Sequence, residues 1–377
     1  MRVLLAGGGT AGHIEPALNT ADELRMRNPA HDIRALGTSR GLEVRLVPAR
    51  GYPLDLIPAV PMPRRPNRDL IALPSRLRAS VRAVRDVMEQ QGTDVVVGFG
   101  GYVAMPAYLA ARGRVPIVIH EANAKPGLAN RVGARFTPYV AQAFPDAIKG
   151  AETVGIPLRE AIVNLDRPTV RATARAHFGL NPDRPCLLVF GGSQGARRIN
   201  DAVVAATPRI IGAGFQVLHV VGTQNLDQGG DVLADIAADY HRVAYVDRMD
   251  LAYAAADLAI CRSGAMTCAE LAAVGLPAIY VPLPIGNGEQ RVNAAGTVDA
   301  GGGKFLADQD MTPDSVAESV LPLLADPHSL ETMSLAASSQ GVRDAGAKLA
   351  DTGERAVQSG PKETRKWRWM LRLALRR

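Results

Sequence analysis

The chain contains the segment Arg262-Ser263-Gly264-Ala265-Met266-Thr267-Cys268-Ala269-Glu270. An apolar run at 258–261 precedes it and predicts a buried strand of a parallel sheet. After a turn of small residues, positions 265–274 predict a helix that Gly275 closes and Pro277 stops. A strand, a small-residue turn and a helix start make an anion site, because free backbone N–H groups and the helix dipole point to one place.

Glu270 lies about one and a half turns into this helix. Its carboxylate could accept hydrogen bonds from two vicinal hydroxyls, such as those of a ribose. The same pattern also fits an ordinary strand-to-helix turn with a solvated glutamate, since such turns occur in every α/β sheet. This stretch alone leaves both interpretations open.

The composition is that of a folded protein with two or three domains: 377 residues, 47% of them hydrophobic and 21% charged. We expect neither a signal peptide nor a membrane span, because the N-terminal apolar run is short and no stretch approaches the about 20 apolar residues of a span. Cys186, Cys261 and Cys268 lack metal-ligand spacing and fit buried thiols in a reducing cytoplasm. We predict no metal site and no cofactor.

The positive charge is concentrated at the end of the chain. Between residues 362 and 377 stand seven basic residues and one acidic residue, so this tail alone accounts for the formal net charge of +6. Both tryptophans, Trp367 and Trp369, lie there too. Because residues 1–361 are close to neutral, the sequence does not predict a nucleic-acid partner.

A second glycine-rich turn, Gly7-Gly8-Gly9-Thr10-Ala11-Gly12-His13, follows the predicted first strand. It fits the G-x-G-x-x-G spacing of a phosphate-binding loop, although this motif alone is weak. A dinucleotide-binding fold also needs an acidic residue at the end of the second strand, to hold a ribose. The predicted second strand, 32–36, ends in Gly37-Thr38-Ser39, which argues against a nicotinamide-dependent oxidoreductase.

Two more predicted strands end in polar or glycine-rich loops. Strand 94–99 runs into Gly98-Phe99-Gly100-Gly101-Tyr102, and strand 116–120 runs into His120-Glu121-Ala122-Asn123. Because the carboxyl ends of parallel strands meet at one edge of a sheet, we expect a ligand site there.

The region from Arg64 to Arg78 combines a Pro-rich basic loop with the start of a predicted helix, 75–91, for which Ser75 is the expected N-cap. Leucines and arginines alternate in it. It is either a surface loop followed by the buried face of a helix, or an apolar patch ringed by arginines that contacts anionic lipid.

The chain repeats its strand-helix scheme after a polar segment at 164–184. We predict an α/β fold of two Rossmann-like domains that face each other across a cleft. The domains are 1–160, which would face the acceptor and the membrane, and 161–345, which would bind the donor; residues 346–377 form a C-terminal segment. Clefts between domains are common ligand sites.

Seven segments, in this order, resemble the MurG family of peripheral membrane enzymes. That family adds N-acetylglucosamine (GlcNAc) from UDP-GlcNAc to lipid I, which gives lipid II for peptidoglycan. The segments are Gly7–His13, Gly98–Tyr102, His120-Glu121-x-Asn123, Gly155-x-Pro157-x-Arg159, Gly191–Ala196 with Asn200, Arg262–Glu270 and Gln290-x-x-Asn293-Ala294. They cover residues 2 to about 340, and the family's glycosyltransferase B fold agrees with the predicted architecture. The chain departs from the family pattern at Ala11, at Cys268-Ala269 and at Glu289.

The resemblance implies inverting, metal-independent transfer of GlcNAc to the C4 hydroxyl of MurNAc-pentapeptide on undecaprenyl diphosphate, a step of cell-wall growth and division. Glu270 would hold the ribose hydroxyls, Val246 the uracil through its backbone, and Gln290 the GlcNAc hydroxyls. The full set of residues implied to bind UDP-GlcNAc is Thr10, Ala11, Gly12, Asn123, Arg159, Ser193, Gln194, Val246, Ala265, Met266, Thr267, Glu270 and Gln290.

One general base must take the proton of the acceptor hydroxyl. His13 is the candidate, because a helix N-terminus disfavours the imidazolium and keeps the ring able to accept a proton. It could instead cap the helix or donate to a phosphate. Glu121 is a second candidate base. Gly101, Tyr102 and His120 are expected on the acceptor side, although His120 could equally be a buried core histidine.

Asp308-Gln309-Asp310 resembles the metal motif of other glycosyltransferases, but it directly precedes a predicted helix start at Met311-Thr312-Pro313-Asp314. We therefore do not assign it to a metal.

The 362–377 tail, if helical, has arginines along one face and apolar side chains on much of the other. A disordered basic end is the alternative. Since the implied acceptor, undecaprenyl-linked lipid I, is lipid-borne, we expect the tail and the Arg64–Arg78 region to contact anionic lipid at the cytoplasmic face of the cell membrane.

Three other functions compete with this hypothesis. One is an enzyme of the same fold, either another UDP-sugar:lipid glycosyltransferase or a UDP-GlcNAc epimerase; the epimerase would need no lipid contact. The others are the nicotinamide-dependent oxidoreductase and a catalytically silent membrane scaffold. Protection against heat by UDP-GlcNAc but not by NADH would exclude the oxidoreductase, and turnover would exclude the scaffold.

Overall fold

The chain folds into two compact units. The computed structural model describes residues 1–60, 69–192, 196–225, 238–285 and 287–361. Unit 1 comprises Met1–Pro157 and the segment that begins at Asp344, whereas unit 2 is Leu158–Arg343. The junction thus falls at Pro157–Leu158 where the sequence placed it at 160–161, and the described part of the C-terminal segment belongs to unit 1.

Unit 1 is built on a parallel sheet. Its elements up to the junction are β1 (Arg2–Gly7), α1 (Ala11–Arg27), β2 (Asp32–Gly37), α2 (Glu43–Ala49), β3 (Leu54–Leu56), α3 (Asp69–Gln91), β4 (Val95–Gly100), α4 (Ala104–Ala111), β5 (Ile117–Glu121), α5 (Leu128–Gly133), β6 (Tyr139–Gln142) and β7 (Glu152–Thr153). Within the described residues the strand order is β3-β2-β1-β4-β5-β6-β7, all parallel. The order reverses between β1 and β4, and open α/β sheets bind ligands at the carboxyl ends of such strands.

Unit 2 repeats this plan. Its elements are α6 (Glu160–Val163), α7 (Arg167–His177), β8 (Cys186–Phe190), α8 (Arg197–Gly212), β9 (Gln216–Val220), β10 (Tyr240–Val243), α9 (Met249–Ala255), β11 (Leu258–Cys261), α10 (Ala265–Val274), β12 (Ala278–Tyr280), α11 (Glu289–Asp299), β13 (Gly303–Phe305), α12 (Pro313–Leu324) and α13 (Pro327–Ser338). Across its described part the parallel order is β10-β9-β8-β11-β12-β13, so the reversal lies between β8 and β11.

The chain then returns to unit 1 with α14 (Ala345–Ser359). The apolar side of this helix, which includes Leu349 and Ala350, joins the core cluster that contains α1. Arg27, in the last turn of α1, pairs with Asp351 at 2.6 Å and donates to the Ala347 carbonyl at 2.9 Å. An amphipathic helix needs an apolar surface to cover, and α14 finds it on α1.

The central strand β1 contributes side chains to the cores on both faces of its sheet. Val3 and Leu5 of β1 pack into the cluster with α1 and α14, whereas Leu4 and Ala6 pack into the cluster with α3 and α4. Side chains that alternate along a buried strand produce this three-layer arrangement. The predicted α/β class with two Rossmann-like sheets is confirmed.

Two helix predictions had different outcomes. Helix α10 has the predicted bounds, and Gly275 closes it at φ 63°. Helix α3 begins at Asp69 and continues through Pro74, so Ser75 lies inside it and the predicted N-cap is wrong. No helix in the described ranges has the length and apolar character needed to cross a membrane.

Candidate active site

The turn between β11 and α10 presents the start of a helix. Gly264 is the N-cap and brings no side-chain cap, so the first N–H groups of the helix, from Ala265, Met266 and Thr267, have no partner within it. Asn293 of α11 donates to the Ser263 carbonyl at 3.4 Å and holds the turn. This geometry is suited to an anion, as the sequence predicted.

A cavity of about 210 Å³ opens beside this turn, wholly within unit 2. It brings together Arg159, Val246, Thr267 and Glu270, which come from three separate stretches of sequence. The complete lining is Arg159, Ala161, Ile162, Phe190, Gly191, Gly192, Val220, Gly222, Ala244, Tyr245, Val246, Met249, Asp250, Tyr253, Thr267 and Glu270. Apolar walls with a few polar groups are typical of ligand pockets.

Two polar groups of this pocket were not predicted from the sequence. Tyr253, on α9, donates its hydroxyl to Oε2 of Glu270 at 2.8 Å. Asp250, also on α9, forms an ion pair with Arg248, whose Nη2 lies 2.6 Å from Oδ2 of Asp250. Burial acts to raise the pKa of Asp250, but the hydrogen bond and charge of Arg248 outweigh it and lower the pKa. Both residues lie on a helix without a recognisable motif, so no sequence signal points to them.

Other predicted donor residues lie outside this pocket's lining. Oε1 of Gln290 accepts from the Leu283 N–H at 2.9 Å, which holds the loop after β12. The N–H groups of Ala265 and Met266 lie at the helix start described above. Ser193 and Gln194 fall outside the described residues.

The carboxylate of Asp308 is engaged by arginines. Arg262 approaches its Oδ1 at 2.6 Å and Arg198 its Oδ2 at 3.4 Å. Asp308 begins a short 3₁₀ turn, and Thr312 then caps α12 through a capping box. In the described part of the chain, no group of three or more His, Cys, Asp or Glu side chains is placed to hold a metal ion.

In unit 1 the glycine-rich loop after β1 rests on a buried carboxylate. Glu43 is fully buried, and its Oε2 accepts from the Gly9 N–H at 3.0 Å. Its Oε1 accepts from the Thr38 N–H at 2.8 Å and the Thr38 hydroxyl at 3.0 Å. Glu43 was not predicted from the sequence, because its partners lie on two other loops.

His13 stands at the start of α1, over the end of β4. Its Nδ1 lies 3.2 Å from the Thr10 hydroxyl. A Cβ at Gly100, where φ is +101°, would lie 3.1 Å from its Nε2, so the glycine makes room for the ring. Burial lowers the pKa of His13, against the charge of Glu121 and the Gly8 carbonyl, which raise it. Ala11 and Gly12 belong to the same helix turn.

Glu121, the second candidate base, holds the loop between β5 and α5. Its Oε1 accepts from the Asn123 N–H at 2.9 Å, and its Oε2 accepts from the Gly127 N–H and from Asn130, both at 3.0 Å. Asn130 also accepts from the buried Tyr108 hydroxyl at 2.7 Å. Both oxygens are therefore engaged, an arrangement suited to a loop anchor rather than to a base.

The predicted acceptor-side residues differ in their exposure to solvent. Tyr102 is exposed, next to Gly101, whose added Cβ would collide with the Gly8 carbonyl. His120 is fully buried, and its Nε2 lies 2.8 Å from the Gly155 carbonyl. Burial lowers its pKa to about 4. The acceptor-side assignment of His120 is thus corrected: the side chain points into the interior, where a neutral ring ties β5 to Gly155.

Comparison with known proteins places both units in one family. The profile of the glycosyltransferase family 28 N-terminal domain matches residues 3–142, and that of the family's C-terminal domain matches residues 186–349. A relative from Streptomyces avermitilis is 59% identical over 92% of this chain and 95% of its own length. It is called UDP-N-acetylglucosamine–N-acetylmuramyl-(pentapeptide) pyrophosphoryl-undecaprenol N-acetylglucosamine transferase. A relative from Mycolicibacterium smegmatis with the same name is 57% identical over 96% of this chain and 95% of its own length.

The crystal structure of Acinetobacter baumannii MurG matches with a TM-score of 0.76 and 29% identity, over 94% of this chain and 99% of that one. The chain belongs to the MurG family. As a MurG-family member it is a hexosyltransferase, and the glycosyltransferase B fold is confirmed. UDP-GlcNAc 2-epimerase from Neisseria meningitidis, at 15% identity and a TM-score of 0.66 over 93% of this chain and 99% of its own, shares the fold alone.

Proposed function

We propose that this chain transfers GlcNAc from UDP-GlcNAc to the C4 hydroxyl of MurNAc-pentapeptide on undecaprenyl diphosphate, with inversion at the anomeric carbon. The observation that carries the proposal is the pocket of unit 2, where the Glu270 carboxylate stands beside a helix start with N–H groups available to an anion. The names of relatives more than 55% identical support this transferase over an epimerase.

The donor binds in unit 2. Glu270 accepts hydrogen bonds from the ribose hydroxyls, and the backbone at Val246 contacts the uracil. The N–H groups of Ala265, Met266 and Thr267 bind the diphosphate, with Arg159 as a nearby cation. These donors stabilise the negative charge that grows on UDP as it leaves, which is the main electrostatic demand of the reaction.

Further donor contacts complete this proposal. Gln290 contacts the GlcNAc hydroxyls from the loop after β12, and Ser193 and Gln194 contribute to the diphosphate site. From unit 1, Thr10, Ala11, Gly12 and Asn123 are also proposed to contact the donor. Their position at the carboxyl edge of the unit 1 sheet supports this role.

His13 acts as the general base. The acceptor hydroxyl loses its proton to the ring as its oxygen forms the bond to the anomeric carbon, and the bond to the diphosphate oxygen breaks. This role requires Nδ1 to carry the ring hydrogen and donate it to the Thr10 hydroxyl 3.2 Å away, so that Nε2 accepts the proton. Glu121 positions the β5–α5 loop and favours the imidazolium that forms, while Gly101 and Tyr102 lie on the acceptor side.

The membrane surface is the second partner. We place the enzyme at the cytoplasmic face of the cell membrane, where the 362–377 tail and the Arg64–Arg78 region contact anionic lipid. Residues 61–68 and 362–377 lie outside the described residues, but Arg76 and Arg78 are exposed on α3. Each basic residue near an anionic surface contributes about 1 kcal/mol of binding.

Transfer of labelled GlcNAc to a short-chain lipid I analogue tests the function. We expect wild-type transfer to survive EDTA and Glu270→Ala to lower kcat/KM about 10²-fold, because two charge-assisted hydrogen bonds are lost. Glu318→Ala, at an exposed site on α12, is the matched control and should retain full activity. If folded wild type binds UDP-GlcNAc but transfers nothing, the acceptor assignment is wrong.

A further inference from the structure

The hydroxyl of Tyr253 is aimed at the functional carboxylate of the donor pocket. Tyr253 is 1% exposed, yet it belongs to the pocket lining, and its hydroxyl oxygen lies 2.8 Å from Oε2 of Glu270. The two residues come from neighbouring helices, α9 and α10. A buried tyrosine normally satisfies its hydroxyl on whatever group is near, but here the partner is the carboxylate proposed to bind the ribose.

The position of this hydroxyl is fixed from both ends of the residue. The ring packs against Phe190 at the end of β8, with ring centroids 6.0 Å apart. The Tyr253 carbonyl accepts from Nε of Arg167 at 3.0 Å, and the same guanidinium holds the Gly275 carbonyl just after α10 at 2.7 Å. Burial and the charge of Glu270 raise the pKa of Tyr253, so the hydroxyl stays protonated and donates.

A carboxylate on a helix can rotate, and rotation changes which lone pairs face a bound sugar. When one oxygen is tethered to a fixed donor, the plane of the group is set and the remaining lone pairs have defined directions. A ribose offers two vicinal hydroxyls to such a carboxylate, whereas a 2′-deoxyribose offers one. Discrimination between them depends on that orientation.

We propose that Tyr253 is a positioning residue that orients the Glu270 carboxylate toward the ribose diol, and thereby sets the preference of the pocket for ribonucleotide over 2′-deoxyribonucleotide donors. The inference rests on the proposed function, because it takes the donor to be a uridine diphosphate sugar. Tyr253 acts through Glu270 and need not touch the sugar or the reacting atoms.

Calorimetric titration of the full chain with UDP and with 2′-deoxy-UDP tests this inference. In wild type we expect UDP to bind more tightly. In Tyr253→Phe the dissociation constant for 2′-deoxy-UDP divided by that for UDP should fall about tenfold, because UDP loses affinity while the affinity for 2′-deoxy-UDP changes little. Tyr280→Phe removes the hydroxyl of a buried tyrosine on β12 that is not part of the pocket lining, and should leave the ratio unchanged.

The possible outcomes distinguish a failure of the role of Tyr253 from a failure of the proposed function. If Tyr253→Phe weakens both nucleotides equally, the residue supports the fold only and the inference is wrong. In a Glu270→Ala background, which removes the acceptor of the Tyr253 hydroxyl, Tyr253→Phe should have no further effect on the ratio; a full additional effect would show that Tyr253 does not act through Glu270. If wild type binds neither nucleotide, the proposed function itself fails.

Discussion

The protonation of His13 is governed by opposing surroundings. Burial lowers the pKa of the ring below its ordinary value of about 6.5, although Glu121 and the Gly8 carbonyl act in the other direction. The neutral form, which accepts a proton, therefore persists to lower pH than in an exposed histidine. We predict that kcat/KM for the lipid acceptor stays level as the pH falls to about 6.5 and declines only below it.

Replacing His13, the proposed base, tests the same assignment. His13→Gln should lower kcat about 10²–10⁴-fold and abolish the acid decline, because no group remains that titrates with the reaction. His328→Gln, at an exposed site on α13, should leave both the rate and the pH profile unchanged. An acid limb that persists in His13→Gln would assign the base elsewhere.

The sequence identified the residues that sit in motifs and missed those that support them. Glu270 was predicted because a strand-turn-helix pattern surrounds it. Glu43 and Asn130 were not predicted, because each forms its hydrogen bonds with groups that are distant in sequence, such as the Gly9 N–H for Glu43. His120 stands in a motif but faces inward, and only the packing of β5 shows which way its side chain points.

Helix α7 connects the two helices that line the pocket of unit 2 through one side chain, Arg167. Arg167 donates to the Tyr253, Ala256 and Gly275 carbonyls at 3.0, 2.6 and 2.7 Å, at the ends of α9 and α10. A cation at two helix C-termini satisfies carbonyls that have no partner within the helices. We predict that Arg167→Ala lowers the free energy of unfolding by about 2–4 kcal/mol, measured by urea denaturation followed by circular dichroism.

An exposed arginine–aspartate pair shows how little a surface contact contributes to stability. Arg209 lies 2.6 Å from Asp314, with both side chains more than half exposed. Arg209→Ala should therefore cost no more than about 0.5 kcal/mol. Equal losses in the Arg209 and Arg167 variants would show that the carbonyl contacts of Arg167 do not stabilise unit 2.

Local signals predicted helix ends unequally well. Gly275 adopts φ 63°, a conformation that glycine enters without penalty, so the end of α10 could be read from the sequence. Serine is a favoured N-cap residue, and Ser75 therefore suggested a helix start there. The helix nevertheless runs through Pro74, since Val84 and Met88 of α3 pack into the core of unit 1 and can offset one lost hydrogen bond.

Helix α14 makes unit 1 depend on the far end of the chain. Leu349, Ala350 and Ala356 lie in its core cluster, and Arg355 pairs with Glu152 at 3.2 Å. We predict that a chain ending at residue 343 loses about 3 kcal/mol or more of unit 1 stability, because this apolar surface becomes exposed. Thermal unfolding should then show an early transition that UDP does not shift.

A chain ending at residue 361 is the control for that truncation, and it also tests the tail. It should unfold as the full chain does but bind anionic vesicles at least tenfold more weakly in co-sedimentation, because seven basic residues are removed. Unchanged vesicle binding would contradict the proposed membrane role of the tail, and an equal loss of stability would contradict the role assigned to α14.

The return of the chain to unit 1 also reverses the usual order of completion during synthesis. Unit 2 is one uninterrupted segment and can fold as soon as it leaves the ribosome, whereas the core of unit 1 is complete only once α14 has emerged. At about 5–20 residues per second, translating residues 158–343 takes roughly 10 to 40 seconds. During that time we expect the apolar side of α1 that α14 later covers to stay exposed in the nascent chain. A chaperone should bind this surface most readily in the same interval.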